Sequence, residues 1–473
     1  MHRRHFLQLL ALGTAGFGLA RGAGATSSRK PNFVVILADD LGWTGLRCFG
    51  SKYYETPNLD RLCAQGMKFT DGYADAPVCA PTRACLISGQ YTPRTGVYRV
   101  SDMTKGNERF CPFIQPSKTP FGLDKTTIAE ALKKLGYATA HFGKWHLGPE
   151  HPSEHGFDVA IESSGKHFDP EMKPPMDVPK GTYLTDFLAD RALEFIEQNR
   201  DRPFFLYFPD FLVHKPHEAK EELIAWFKDK PGIGAQSDPV YAAMTYSLDL
   251  TVGRIVNKVD QLGLAEQTLI IFLSDNGGRC VFGPDLKPKP NAFTDNLPLR
   301  EGKGELYEGG IRVPYIFRWP GRIKPGTVCH EPVTTVDLYP TLVEIAGGTP
   351  EPRYPLDGVS LMPCLRDHRA KLNRDALYWY YPNFSGGPNK EGKWASIPRA
   401  AIRARRYKLI EYLIEDRPEL YDLESDIGER HNLAEKMPAK VEELRARLKA
   451  WMEAVGAPNM PRNPDYDPGG KKR

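Results

Sequence analysis

Five short apolar runs, each too short for a typical helix, constrain this chain more than any other feature. They are NFVVILA ending at Ala38, YATAHF ending at Phe142, PFFLYF ending at Phe208, TLIIFL ending at Leu273 and VPYIFRW ending at Trp319. Uninterrupted runs of this kind read as strands buried on both faces, the pattern of a parallel sheet covered by helices. Helical patterns lie between them. TTIAEALKKLG opens with a Thr127-x-x-Glu130 capping box, puts Ile128, Leu132 and Leu135 on one face and stops at Gly136. The alternation predicts an α/β fold: a large mixed, mostly parallel sheet flanked by helices.

The residues that follow the strands carry the chemistry. After Ala38 come Asp39 and Asp40, after Phe142 come Gly-Lys144-Trp-His146, soon after Phe208 comes His214, and after Leu273 come Ser-Asp275-Asn276. In an open parallel sheet the carboxyl ends of the strands share one edge, where ligands bind. A single Asp there is ordinarily a turn or cap residue. Four strand ends supplying carboxylates, a lysine and imidazoles to one edge exceed what capping requires.

Asp39, Asp40, Asp275 and Asn276 offer only oxygen donors, a set suited to a hard cation, calcium or magnesium, rather than zinc. Lys144, His146, His214 and Lys303 add positive charge or donors beside it. Lys303 lies in the Gly-rich PLREGKGELYEGGIRVP segment, whose backbone N–H groups are expected to help hold an anion. Together these groups describe a pocket for a tetrahedral oxyanion and a phosphoryl or sulfuryl transfer.

Length and charge narrow the remaining classes. At 473 residues, 41% hydrophobic and 26% charged, the chain is a folded protein with one large domain and a smaller one. Residues 1–25 combine Arg3-Arg4, an apolar run from Phe6 to Leu19 and an A-x-A type site at Ala23-Gly24-Ala25. The Arg-Arg-His-Phe-Leu order resembles a twin-arginine signal. The expectation is export by the twin-arginine machinery to the bacterial periplasm or beyond, with no stable membrane insertion after cleavage, since the apolar run is short for a span. Loss of Arg3, Arg4 and Arg21, with no acid, lowers the formal charge from +4 to +1 and gives no reason to propose nucleic acid as partner. The main domain is placed at 26–369. A C-terminal subdomain at 370–473 has antiparallel strands in RAAIRARRYKLIEYL and PELYDLESD, then a helix from Pro438 burying Val441, Leu444, Leu448, Trp451 and Val455. The tail NPDYDPGGKKR offers little to bury. Eight scattered cysteines do not suggest a disulfide-stapled miniature fold.

One cysteine, Cys79, sits in a Cys-x-Pro-x-Arg frame that matches neither a usual zinc nor a redox spacing. With it, the segments VCAPTRACLISG, GYATAHFGKWHLG, DNGG and GELYEGGIRVP appear in this order. From about Asn32 to the C-terminal helix the chain resembles the formylglycine-dependent sulfatases of the alkaline phosphatase superfamily. The resemblance implies that a maturation enzyme oxidises Cys79 to Cα-formylglycine, whose hydrate is the nucleophile. It implies one calcium ion held by Asp39, Asp40, Asp275, Asn276 and the modified residue 79. Arg83 would steady the hydrate. Lys144, His214 and Lys303 would bind the sulfate oxygens, with His214 or Lys303 protonating the leaving alcohol. Asp275 would accept the attacking hydroxyl's proton, and His146 the second one. The substrate implied is a sulfated small molecule or glycan.

Three positions depart from the commonest family pattern: Thr82 replaces a frequent serine, Ser88 a threonine, and Lys215 a common threonine, while His217 competes with His214. Two alternatives stay open: a phosphodiesterase or phosphonate monoester hydrolase of the same superfamily, and a catalytically silent sulfated-glycan binding protein. Lys166, His167 and Trp394 lie in candidate rim segments, where contact with a sugar is one reading and an ordinary solvated loop is the favoured one for each.

Overall fold

The strand Asn32–Ala38 is buried along its whole length and pairs in parallel on both sides, with Phe204–Pro209 and Thr268–Ser274. The structure, a computed structural model, describes residues 29–101, 104–105, 107–117, 119–280, 293–388 and 394–467; the proposed leader, residues 1–25, and the tail end, 468–473, lie outside the described residues. Among the described residues the sheet has nine strands. From one edge they are Thr327–Cys329, Met67–Phe69, Tyr315–Arg318, Thr268–Ser274, Asn32–Ala38, Phe204–Pro209, Ala138–Gly143, Val159–Ser163 and Met172–Lys173.

Alternation along the central strand builds two cores, because successive side chains point to opposite faces. Val34 and Ile36 join Leu188, Leu248 and Val252 of the helices Leu184–Gln198 and Pro239–Gln261. Phe33, Val35 and Leu37 join Leu86, Leu132 and Leu342 of Cys79–Ser88, Ile128–Lys134 and Leu338–Ile345 on the other face. The capping box forms: Glu130 N–H donates to Thr127 Oγ1 at 3.1 Å and Thr127 N–H to Glu130 Oε2 at 2.7 Å.

Five neighbouring strands, from Thr268–Ser274 to Val159–Ser163, are parallel; four of them are predicted apolar runs, and Val159–Ser163 is not among those runs. The fifth predicted run differs: Tyr315–Arg318 is antiparallel to Thr268–Ser274. A buried strand is apolar in either direction, so its sequence does not encode its sense. The reversal has a use, because the chain enters this strand from the functional edge and the segment before it, carrying Lys303, is delivered there.

A second sheet, wholly antiparallel, has the order Leu377–Tyr381, Arg399–Ala404, Tyr407–Tyr412, Glu419–Asp422. Helix Pro438–Ala454 covers it with Val441, Leu444 and Leu448. On the face toward the main sheet, Lys408 is fully buried, 2.8 Å from Glu308 Oε1 and 2.9 Å from Glu429 Oε1. Among the described residues no helix is long and apolar enough to cross a membrane.

Candidate active site

Strand register assembles the site. Ala38 is level with Ser274, so the next residues, Asp39 and Asp275, emerge side by side. The ladder continues past the strands: Asp275 N–H donates to Ala38 O at 3.1 Å, and Asp39 N–H to Leu212 O at 2.8 Å. Two glycines permit the close approach of neighbouring ends. A Cβ on Gly143 would meet Pro209 O at 2.0 Å, and one on Gly277 would meet Gly309 O at 1.7 Å. Asp40 and His146 each take a positive φ of 63°, an uncommon conformation for non-glycine residues that turns each away from its strand line.

All ten predicted site residues converge. Asp39, Asp40, Cys79, Arg83, Lys144, Asp275 and Asn276 are buried; His146, His214 and Lys303 are half-buried. Lys144 Nζ lies 2.5 Å from Asp39 Oδ2, Lys303 Nζ 2.7 Å from Asp40 Oδ1, and His214 Nε2 3.8 Å from Asp40 Oδ2. Asn276 Nδ2 donates to Asp40 Oδ1 at 2.8 Å. Cys79 is the first residue of helix Cys79–Ser88, with Arg83 one turn on along the same face. Cys79 Sγ and His146 Nδ1 are 3.5 Å apart. The helix N-terminus adds partial positive charge where an anionic group would be transferred.

The carboxylates are driven apart in acidity. Burial pushes Asp39 up, but Lys144, His214, Arg83 and Lys303 outweigh it and hold the group well below the usual range. Burial and the Asp39 charge raise Asp275 to about 7, against Arg83 and Lys144. Burial raises the Cys79 thiol, so the sulfur is not an activated thiolate.

The donor set fits a hard cation. Asp39 Oδ1 and Asn276 Oδ1 are buried acceptors with no hydrogen-bond partner, a state that oxygen-coordinated calcium or magnesium relieves. Ligand atoms of Asp39, Cys79 and Asp275, and of Asp39, Asp40 and His214, cluster within 4.8 Å of one another.

Several expectations need correction. The N–H groups of Lys303, Gly304 and Glu305 bond to Gly278, Pro77 and Gly302 carbonyls, so at these three positions the loop offers an ammonium and no backbone anion nest. His167 is buried, 2.9 Å from His214 O, and cannot meet a sugar. Trp394 packs on Phe384 and donates to Phe110 O; it does not line the cavity. Lys166 does, although paired with Glu171. His214 lines the cavity, whereas His217 packs on Phe293 and Tyr241. Thr82 donates to Ala76 O and Ser88 to Ala84 O, so the two hydroxyl-retaining departures keep local backbone bonds. Sequence reasoning missed the wall supplied by the second sheet. The cavity, about 1260 Å³, is lined there by Tyr381, Phe384, Arg399, Tyr412 and Arg417.

A sheet edge of this topology, with a helix-borne residue 79 among buried carboxylates and lysines, defines a hydrolase of the alkaline phosphatase-like class. The sequence profile of the Sulfatase family matches residues 31–348, and that of "N-sulphoglucosamine sulphohydrolase, C-terminal" matches 302–457. The chain belongs to the sulfatase family, enzymes that hydrolyse sulfate esters. It is 34% identical to a sulfatase of Formosa agariphila, over 91% of this chain and 90% of that protein. It is 32% identical to human arylsulfatase A, over 91% and 89%. Among solved structures, Ps i-CgsB superposes with a TM-score of 0.75 at 28% identity, covering 93% of this chain and 94% of that one, and has been solved in complex with k-i-k-neocarrahexaose.

Proposed function

We propose that this sulfatase releases inorganic sulfate from a sulfated carbohydrate, using residue 79 as a formylglycine hydrate. The observation that carries the reading is the 3.5 Å approach of Cys79 Sγ to His146 Nδ1 within the carboxylate row. One calcium ion, held by Asp39, Asp40, Asp275, Asn276 and residue 79, would offset the carboxylate charge and stabilise negative charge on the sulfate oxygens. Lys144, Lys303 and His214 hold those oxygens. One hydroxyl of the hydrate attacks sulfur and gives its proton to Asp275. The ester S–O bond breaks, and His214 or Lys303 protonates the departing alcohol. His146 then removes the proton from the second hydroxyl. The C–O bond to sulfate breaks, sulfate leaves and an aldehyde remains, which water hydrates again. Arg83 fixes Asp275 throughout.

Support for a sugar comes from the cavity's size and its tyrosines, an aromatic lining of the kind that packs on sugar rings, and from the oligosaccharide complex of the relative. The test joins mass analysis of the residue 79 peptide to assays on sulfated oligosaccharides and phosphodiesters. Sulfate release that scales with the aldehyde fraction is expected. An unmodified thiol with full activity would overturn the mechanism, an unmodified thiol without activity would favour a silent binding protein, and faster phosphodiester turnover a phosphodiesterase.

Export through the twin-arginine route is proposed from residues 1–25. Arg3 and Arg4 both changed to Lys should retain the protein in the cytoplasm, because recognition needs guanidinium groups rather than charge alone. Unimpaired export would point to the general secretory route.

A further inference from the structure

The cavity wall carries more cations than acids. Most are engaged: Lys144 by Asp39, Lys303 by Asp40, Lys166 by Glu171, Arg399 by Glu305 and Arg417 by Glu415, while Arg300 and Arg99 donate to protein oxygens. Lys173, Lys215 and Arg279 form no ion pair among the described residues, and the last two stand beside the reacting groups. Lys215 and Arg279 both line the cavity and are exposed. Their places are specific. Lys215 directly follows His214, and its carbonyl accepts from His214 Nδ1 at 2.7 Å. Arg279 directly follows Gly278, whose carbonyl accepts from Lys303 N–H at 3.1 Å. Lys215 thus touches His214 through its own carbonyl, and Arg279 is one residue from a contact with Lys303; His214 and Lys303 are the two groups proposed to protonate the leaving oxygen.

We propose that Lys215 and Arg279 form a second anion subsite, so that the preferred substrate bears another anionic group, sulfate or carboxylate, on its leaving sugar. This rests on the sulfated-carbohydrate reading and makes the substrate class a polyanionic oligosaccharide. Lys144, Lys303 and the carboxylate row serve the scissile sulfate. Cations that line the same cavity without protein counter-charges complement a further negative group on the ligand.

The test uses three disaccharides that share one scissile sulfate: one otherwise neutral, one with a second sulfate on the leaving sugar, and one with a carboxylate there. The wild-type enzyme should favour the charged pair in kcat/KM. The Lys215→Gln/Arg279→Gln double variant should lower that preference about tenfold, the scale of two modest charge contacts. Loss of preference for the sulfate alone, or for both, identifies which anion the subsite takes. An equal loss on all three substrates, or none, overturns the proposal. Calorimetric titration of Cys79→Ala protein with the disulfated disaccharide reads binding without turnover. There Kd should weaken about tenfold on adding the two substitutions, and an unchanged Kd overturns the subsite. If the wild type releases sulfate from none of the sugars, the carbohydrate reading fails while the titration still decides the subsite.

Discussion

Arg83 directs two nitrogens at one oxygen of Asp275: Nε at 2.9 Å and Nη2 at 2.7 Å from Oδ2. Its remaining nitrogen, Nη1, donates to Lys144 O at 3.0 Å. One guanidinium thereby ties the helix of residue 79 to two strand ends. Arg83→Met leaves a buried carboxylate beside Asp39 without its partner. The expected cost is about 3–5 kcal/mol of stability, with loss of turnover. Chemical denaturation measures it, and a wild-type midpoint would show that the pair contributes nothing.

Asp39 Oδ1 and Asn276 Oδ1 are buried acceptors without a hydrogen-bond partner, so a cation bound there should stabilise the protein. Dialysis against a calcium chelator should lower Tm by several degrees and abolish activity, and added calcium should restore both. Asp40→Ala should show the same deficit and respond weakly to calcium. Full activity of a metal-free preparation would remove the ion from the mechanism.

Cys79→Ala and His146→Ala should fail at different stages. The alanine at 79 has no nucleophile, so nothing is trapped. Without His146 the first transfer should proceed and expulsion of sulfate should stall. Intact-mass analysis should then find residue 79 carrying one sulfate after exposure to substrate. An unsulfated, inactive His146→Ala protein would place the imidazole before the first transfer instead.

Glu429 gives a stability prediction outside the site. Burial raises its carboxyl, Lys408 opposes this and Glu308 reinforces it, and the group is pushed up to about 7. In the unfolded chain a glutamate releases its proton near 4.3. The folded state therefore keeps a proton that the unfolded state has lost, and this contribution to stability is complete below about pH 4.3 and is lost as pH rises through about 7. Glu429→Gln should flatten that part of the profile. Parallel wild-type and variant curves between about pH 5 and 8 would refute the assignment.

The site was more legible than the fold's details, for a physical reason. Parallel strands bring their carboxyl ends to one edge, so Asp39, Lys144, His214 and Asp275 announce a shared place while far apart in the chain. Pairings across that edge are not periodic, and the bond from Arg83 to Asp275 spans 192 positions. The direction of Tyr315–Arg318 was hidden because burial, not sense, dictates its composition. His167 and Trp394 read as rim residues because an imidazole or indole in a polar segment suggests exposure, whereas each found a backbone carbonyl inside. The wall with Tyr381 and Tyr412 depends on how the second sheet docks, which no local pattern records.

Helix Cys79–Ser88 has every one of its ten residues buried. A protein catalyst that oxidises a side chain has to enclose the surrounding peptide in its own cleft, and this peptide is walled off once the two cores have closed. The conversion proposed for Cys79 is therefore a race between maturation and folding in the newly made chain. On that proposal a molecule that folds first would stay a thiol, and the specific activity of a preparation would record which process was faster when it was synthesised.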